Sequence, residues 1–297
     1  MLRPQYLPFL SGQYRMAMGL QSLDPGDWIE PDENLVGELE EKDRLLTSRH
    51  ADVFQCRSGS RPAQQETLDL LIDHMVRHHP GLLVRNADGV TLPPTGRTYV
   101  LDDWRGAPLD LAGRLVQEDF LLLSPGERGY VLEAASLCFP SRWRLAEKMG
   151  HVLADIHEPV PGYAQRLARP VDRFFTHLSE ARPVWRVNWS VTDDPTLFQT
   201  VRHTRPGVAL ITRGDAGERL WLRCERQTLR RLPVSGWALF TVKTHVDPIA
   251  TLRRHPEAAA ALAGSIRSLP AAMQGYKNIA HFRQPLLEWL DAAAAGC

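Results

Sequence analysis

The residues of this chain that can do chemistry are 11 histidines, 4 cysteines, and acidic and basic side chains spread over strand-like segments. Their spacing limits what each can do. Cys56, Cys138, Cys224 and Cys297 stand far apart and form no C-x-x-C pair. That disfavours a disulfide framework, a zinc knuckle and a Cys-ligated iron–sulfur cluster, and leaves buried free thiols as the plain expectation. His78 and His79 are adjacent. Neighbouring helix positions point apart, so the pair is a poor chelate and fits a solvated helix end. G-x-G-x-x-G, Walker A, H-E-x-x-H and G-x-S-x-G strings are absent, which leaves a dinucleotide turn, a P-loop, a zincin site and a nucleophile elbow without support. His157 stands in the string IHEPVP, residues 156–161. At the end of a helix it can interact with the dipole and the last carbonyls, or serve as a ligand aimed by a rigid element.

The elements that must position these residues follow from periodicity. Residues 1–31 are rich in Pro, Gly and aromatics and read as irregular. Residues 33–49 are charged with spaced Leu, as in an exposed amphipathic helix. Residues 62–79 carry Leu68, Leu71, Ile72, Met75 and Val76 at helical spacing, stopped by Pro80-Gly81. Strands are expected at 97–102, 120–123 and 129–136, with a hairpin turn at Ser124-Pro125-Gly126. Residues 141–157 predict a continuous helix. Ser141 is its N-cap, its stripe is Ala146, Met149, Leu153 and Ile156, and Pro159 and Pro161 end it. A further helix is expected at 171–180, and strands at 184–191, 219–225 and 237–246. In the second of these, Leu220, Leu222 and Cys224 share one face, Trp221 and Arg223 the other. The tail after Pro248 is Ala-rich and helical, with a last helix at 282–294. The order strand, strand, helices, strand, strand, strand is not a parallel βαβ alternation. It predicts an α+β fold with an antiparallel sheet and helices inserted after its second strand, an order found in PAS domains.

Composition bounds the rest. The chain has 297 residues, 43% hydrophobic and 24% charged, enough to bury a sizeable core without staples. With 35 basic and 35 acidic side chains the net charge is zero, which argues against a general nucleic-acid binder. No run approaches the ~18 apolar residues of a membrane span, and residues 1–10 lack the apolar core of a signal peptide, so a soluble, cytoplasmic protein is expected.

Four segments carry a resemblance. They are QEDFLLL (117–123), FPSRWRLAEKMGHVLADIHEPVPGY (139–163), RVNW (186–189) and ERQTLRRLPVSGWALFTVKTH (225–245). MGLQSLDPGDWIEPDEN (18–34) and Tyr276-Lys277 fit more loosely. In these segments the chain resembles the haem-dependent oxidative N-demethylase alpha-subunit-like family, formerly a domain of unknown function, over almost its whole length.

The resemblance implies a single domain over 1–297. It would comprise a PAS-like core at about 97–247, a helical N-terminal extension at 1–96 and a helical C-terminal extension at 248–297. It implies haem b, and oxidative removal of a methyl group from a small amine, dimethylamine-like, with O2. On this resemblance His157 is the expected iron ligand, with Cys138 as a thiolate alternative and His245 as the next histidine. Haem propionates need cations, and Arg186, Arg226, Arg230, Arg231 and Lys243 lie on or beside the expected strands; each is equally at home in a solvated basic strip. A cationic amine wants a carboxylate or an aromatic face, for which Glu118, Asp119, Glu225, Trp189 and Tyr163 are of the right type, as they are for structural roles. With no flavin or iron–sulfur motif here, electrons would come from a flavin/iron–sulfur reductase partner. The alternative is a haem-binding PAS-type sensor or a non-catalytic small-molecule-binding module.

Overall fold

The computed structural model describes residues 4–201 and 210–296; Cys297, counted above among the free thiols, and residues 1–3 of the N-terminal segment lie outside it. The fold is α+β, built on an antiparallel sheet. In chain order the first half supplies β1 (Gln21–Ser22), α1 (Leu35–Ser48), α2 (His50–Val53), β2 (Phe54–Cys56), α3 (Arg61–His78), β3 (Val84–Arg85), β4 (Gly89–Leu92), β5 (Arg97–Val100) and α4 (Pro108–Leu115). The centre supplies β6 (Asp119–Gly126), β7 (Gly129–Ser136), α5 (Leu153–Ile156), α6 (Tyr163–Arg166), α7 (Ala168–His177) and β8 (Val184–Thr192). Then follow α8 (Ala216–Arg219), β9 (Trp221–Arg231), β10 (Ala238–Pro248), α9 (Pro256–Arg267), α10 (Ala271–Tyr276) and α11 (Arg283–Ala294).

Seven strands form one sheet in the order β1-β8-β9-β10-β6-β7-β2, and β3-β4-β5 form a small separate one. The expected strand at 97–102 therefore lies outside the main sheet, and its last residues turn into a 3-10 helix at Leu101–Trp104. The strand pair β6–β7, the helical segment and the three strands β8, β9 and β10 follow in the expected order, all antiparallel. The β6–β7 strands run two residues further than the Pro125 signal suggested. Gly126 still pairs with Gly129, so the turn falls on Glu127 and Arg128, and Gly129 takes φ 112°. The positive φ there is what glycine permits.

Three apolar clusters fix the layers. Helices α1, α3 and α4 pack Leu39, Leu45, Leu68, Leu71, Leu109 and Leu111 against Phe120, Leu122 and Leu239 of one sheet face. The C-terminal helices pack Leu262, Ile266, Leu286 and Leu290 against Val191, Leu222 and Cys224 of that same face. The segment between β7 and β8 covers the opposite face, where Leu145, Leu153, Phe175 and Leu178 meet Leu121, Leu123, Leu229 and Ala238. Helix α1 is less exposed than its charge suggested, since Lys42 is wholly buried and donates to the carbonyls of Val116, Gln117 and Glu118.

The continuous helix expected at 141–157 does not form. Ser141 bridges Gln199, Arg142 has φ 63°, a 3-10 turn spans Leu145–Glu147, and α5 is four residues long. The part of the outer edge of β7 that β2 leaves uncovered takes the backbone groups that a helix would have used. Gly150 N–H donates to Leu132 O at 2.8 Å, Leu132 N–H donates to His151 O at 3.1 Å, and Val152 bridges Val131. Gly150, at φ 78°, lets the chain turn there. Leu145 is buried in place of Ala146, which is exposed. His79 also differs from expectation: it is half-buried, with Nε2 enclosed and unpaired. Among the described residues, no helix is long and apolar enough to cross a membrane.

Candidate functional site

Cross-strand partners share a sheet face, so the register sorts the candidate side chains onto two sides. On the face covered by the β7–β8 segment, Arg186 pairs with Gln227, Asn188 with Glu225, Gln227 with Val242, and Glu225 with Thr244. On the other face, Trp189 pairs with Cys224, Arg226 with Lys243, and Cys224 with His245. Strands β9 and β10 lie inside the sheet, yet their two faces differ. Cys224, Arg226, Thr228, Thr241 and Lys243 are buried, while Glu225, Gln227, Phe240 and Val242 are half-exposed. A side chain in mid-sheet stays half-exposed only where the layer above it is open. The cover of the β7–β8 face is thus incomplete at these positions, although Arg223, Leu229 and Thr244 of the same face are buried. We term this gap, apolar at Phe240 and Val242 and polar towards β8, the cleft.

His157 closes α5 beside this cleft. Its Nδ1 lies 2.8 Å from Leu153 O. A carbonyl only accepts, so Nδ1 carries the proton and Nε2 keeps a lone pair. Burial holds the imidazole below its ordinary pKa, and Lys148 and Arg186 nearby act in the same direction. The ring stacks on Tyr163 with centroids 4.8 Å apart and planes at 11°. Burial, with Asp172 assisting, pushes the Tyr163 hydroxyl up to about 12, so it stays protonated. A neutral imidazole whose other nitrogen is tied to a backbone carbonyl is the form that ligates metals.

The polar end of the cleft has more positive than negative charge. Arg186 Nε is buried without a hydrogen-bond partner, and burial lowers the guanidinium's pKa against the pull of Glu225. Glu225 accepts from Asn188 Nδ2 at 3.2 Å and Gln227 Nε2 at 3.0 Å. Lys277 reaches the edge of β8, donating to Trp189 O at 2.5 Å; burial pulls its pKa down to about 8, with Glu225 opposing. Thr244, opposite Glu225, has a buried hydroxyl with no partner. Two cations to one carboxylate, with one guanidinium nitrogen unspent, suit an incoming carboxylate.

The other expected site residues have different surroundings. Arg226 pairs with Glu30 at 2.8 Å, Lys243 with Asp32 at 2.9 Å, and Arg230 lies 4.8 Å over Trp28, all on the far face under the 23–34 segment. His245 sits there between Glu30 at 3.5 Å and Asp32 at 3.7 Å, neutral because burial pulls it down to about 4. Arg231 is on the cleft face but is spent on Leu178 O at 2.6 Å, Gly236 O at 2.6 Å and Phe175 O at 2.9 Å. Glu118 accepts from Glu30 N at 2.9 Å, and its Oε2 is enclosed and unpaired. Asp119 accepts from Cys138 N at 2.9 Å and Phe139 N at 2.8 Å, beside Lys42. Burial raises the Cys138 thiol, which keeps it protonated. Trp189 lies on the far face, edge-on to Phe9 at 5.6 Å.

The fold thus brings Tyr163, Arg186 and Glu225 into the neighbourhood of His157 and uses the remaining candidates elsewhere. Lys148, Lys277 and the apolar floor of Phe240 and Val242 had no role assigned from sequence. The alternation of residues 240 and 242 along a strand was their one available signal. Among the described residues, no three His, Cys, Asp or Glu side chains converge to hold a metal ion. A metal held here through one protein ligand must bring its other ligands with it. Residues 19–287 match the model of a family described as haem-dependent oxidative N-demethylase, alpha subunit-like.

Proposed function

Because the chain belongs to the haem-dependent oxidative N-demethylase, alpha subunit-like family, we propose that it binds haem b in this cleft and serves oxidative N-demethylation of a small methylated amine. The observation that carries the reading is the open cleft face itself. It joins a half-exposed apolar floor, Phe240 and Val242, to Arg186, whose Nε is buried and unpaired, beside a neutral His157 with a free Nε2. An apolar macrocycle, its carboxylates and its metal need these three things. The strand pair, helical segment and three strands around the cleft support a PAS-like core.

His157 would hold the iron and Arg186 a propionate. The chemistry supplied with the group is oxidation of an N-methyl carbon by O2, giving formaldehyde and the demethylated amine. Once a propionate pairs with Arg186, Glu225 is the cleft carboxylate able to face a cationic amine, and the Tyr163 ring is the nearby aromatic surface. Asp119, Glu118 and Trp189 would support the walls. Arg226, Arg230, Arg231 and Lys243 would hold the sheet's covering segments in place. The electrons would come from a separate flavin/iron–sulfur reductase.

Protein expressed with ample haem supply should show a Soret band at about one haem per chain. With dimethylamine, O2 and a reductase it should release formaldehyde as O2 is consumed. A colourless product that takes up no added haemin overturns the haem reading. A haem protein without amine-dependent O2 uptake favours the sensor reading.

A further inference from the structure

Helix α7 has two unlike sides. Phe175 and Leu178 are buried in the cluster on the cleft face, and the Phe175 carbonyl accepts from Tyr130 Oη at 3.1 Å and from Arg231 at 2.9 Å. Arg169, Arg173 and His177 recur at spacings of four on the opposite side and are exposed, and Arg166, at the end of α6, extends the row. None of the three arginines forms an ion pair with a carboxylate among the described residues. Asp172, the acid of this helix, is directed at the β6–β7 turn, with Oδ1 3.9 Å from where a Gly129 side chain would begin. In a chain of zero net charge this is a local cationic stripe on a firmly anchored helix.

Its position gives it meaning. Arg166 lies one helical turn from Tyr163, the residue stacked on His157. Arg166 and Arg186 both act on Tyr14, so the stripe and the polar end of the cleft flank one side chain. Through Arg166, one end of the stripe thus lies on the surface outside the candidate cofactor site, without lining it. Weak electron-transfer encounters use small interfaces steered by complementary charge rather than large apolar ones.

We propose that the exposed arginine face of α6–α7 is the docking surface for an acidic electron-carrier protein, such as a small iron–sulfur protein. The proposal rests on the reading that haem lies in the cleft. An anionic membrane is disfavoured as the occupant, because the helix has already buried its apolar side against the sheet and has none left to insert. Nucleic acid is disfavoured by the shortness of the stripe and by the zero net charge of the chain.

The test uses the full chain purified with its haem, and an acidic plant-type [2Fe–2S] ferredoxin as probe. Binding is measured by titration at about 20 mM and about 150 mM salt, and the Soret band is recorded on the same samples. Wild type should bind at low salt and weaken several-fold at the higher salt as charges are screened. Arg166→Glu/Arg169→Glu/Arg173→Glu should weaken binding at least tenfold while keeping its fold by circular dichroism and its haem content. A control with the same charge change on exposed arginines elsewhere, Arg105→Glu/Arg253→Glu/Arg254→Glu, should bind as wild type does. Undiminished binding by the first variant, or equal loss in the control, overturns the proposal. So does stripe-dependent binding to phosphatidylserine vesicles without ferredoxin binding. If the chain carries no haem but binds ferredoxin through the stripe, the haem reading fails and the docking surface stands. If haem is present and the stripe is irrelevant, the reverse holds.

Discussion

The imidazole of His157 lies face to face with the phenol of Tyr163, their planes 11° from parallel, while its Nδ1 is held by Leu153 O at 2.8 Å. One contact fixes the plane of the ring and the other fixes its tautomer. A metal ligand needs both, whereas a histidine that caps a helix end needs only the carbonyl contact, which His177 also makes, to Arg173 O at 2.7 Å.

His157→Ala should therefore lose haem or give a visibly different ferrous–CO spectrum. The stacked pair contributes only about 0.5–1.5 kcal/mol to stability, so the apo fold should survive. His151, exposed and engaged only through its backbone, is the control: His151→Ala should leave the spectrum unchanged. A normal Soret band in His157→Ala would remove the ligand assignment.

Arg186 and Arg226 should respond in opposite ways. Arg186 Nε is buried and unpaired, so Arg186→Gln should leave apo stability unchanged or raised while weakening haem retention. Arg226 pairs with Glu30 at 2.8 Å and is buried, so Arg226→Gln should cost about 3–5 kcal/mol by leaving a carboxylate uncompensated. Urea unfolding of the apo proteins, together with haem titration, separates the two effects.

Glu225→Gln and Asp119→Asn should separate a cleft carboxylate from a structural one. Asp119 is fully buried and accepts two backbone N–H groups with Lys42 beside it, so its substitution should lower yield and melting temperature. Glu225 is half-exposed at the cleft, and Glu225→Gln should raise KM for the amine about tenfold or more with haem content intact. Equal stability losses in both would place Glu225 among the structural groups.

Acid should destabilise the protein through His245. Burial holds it down to about 4 from its ordinary 6.5. Below 6.5 the unfolded chain takes up a proton that the folded chain refuses, so this contribution is present at neutral pH and lost as pH falls towards 4. Its size is on the order of 3 kcal/mol. Glu38 acts in the opposite sense. Burial raises it to about 7, so its contribution is present below 4.5 and lost as pH rises through 7. Relative to His245→Gln, wild type should lose stability between pH 7 and pH 4 in urea titrations. A difference that stays flat over that interval contradicts the assignment.

Sequence alone located the strands, expected at 184–191, 219–225 and 237–246, because alternation is a local property with a period of two; the second of them begins only at Trp221 and runs six residues further, to Arg231. It also determined helices α1, α3, α7 and α11, whose stripes have one buried side, and the family, through strings such as IHEPVP. Sequence could not show that residues 141–157 abandon a helix. The competing hydrogen bonds come from Leu132, a strand that pairing alone brings alongside. Nor could it sort five basic residues of the same strands. Which face each occupies is a matter of register, and which carboxylate it meets depends on the 23–34 segment crossing the sheet. Arg226 and Lys243 find Glu30 and Asp32 there, whereas Arg186, on the opposite face, keeps a buried nitrogen unpaired. Charge is written in the chain, but burial and partners are long-range, and those two decide which cation is available to a ligand.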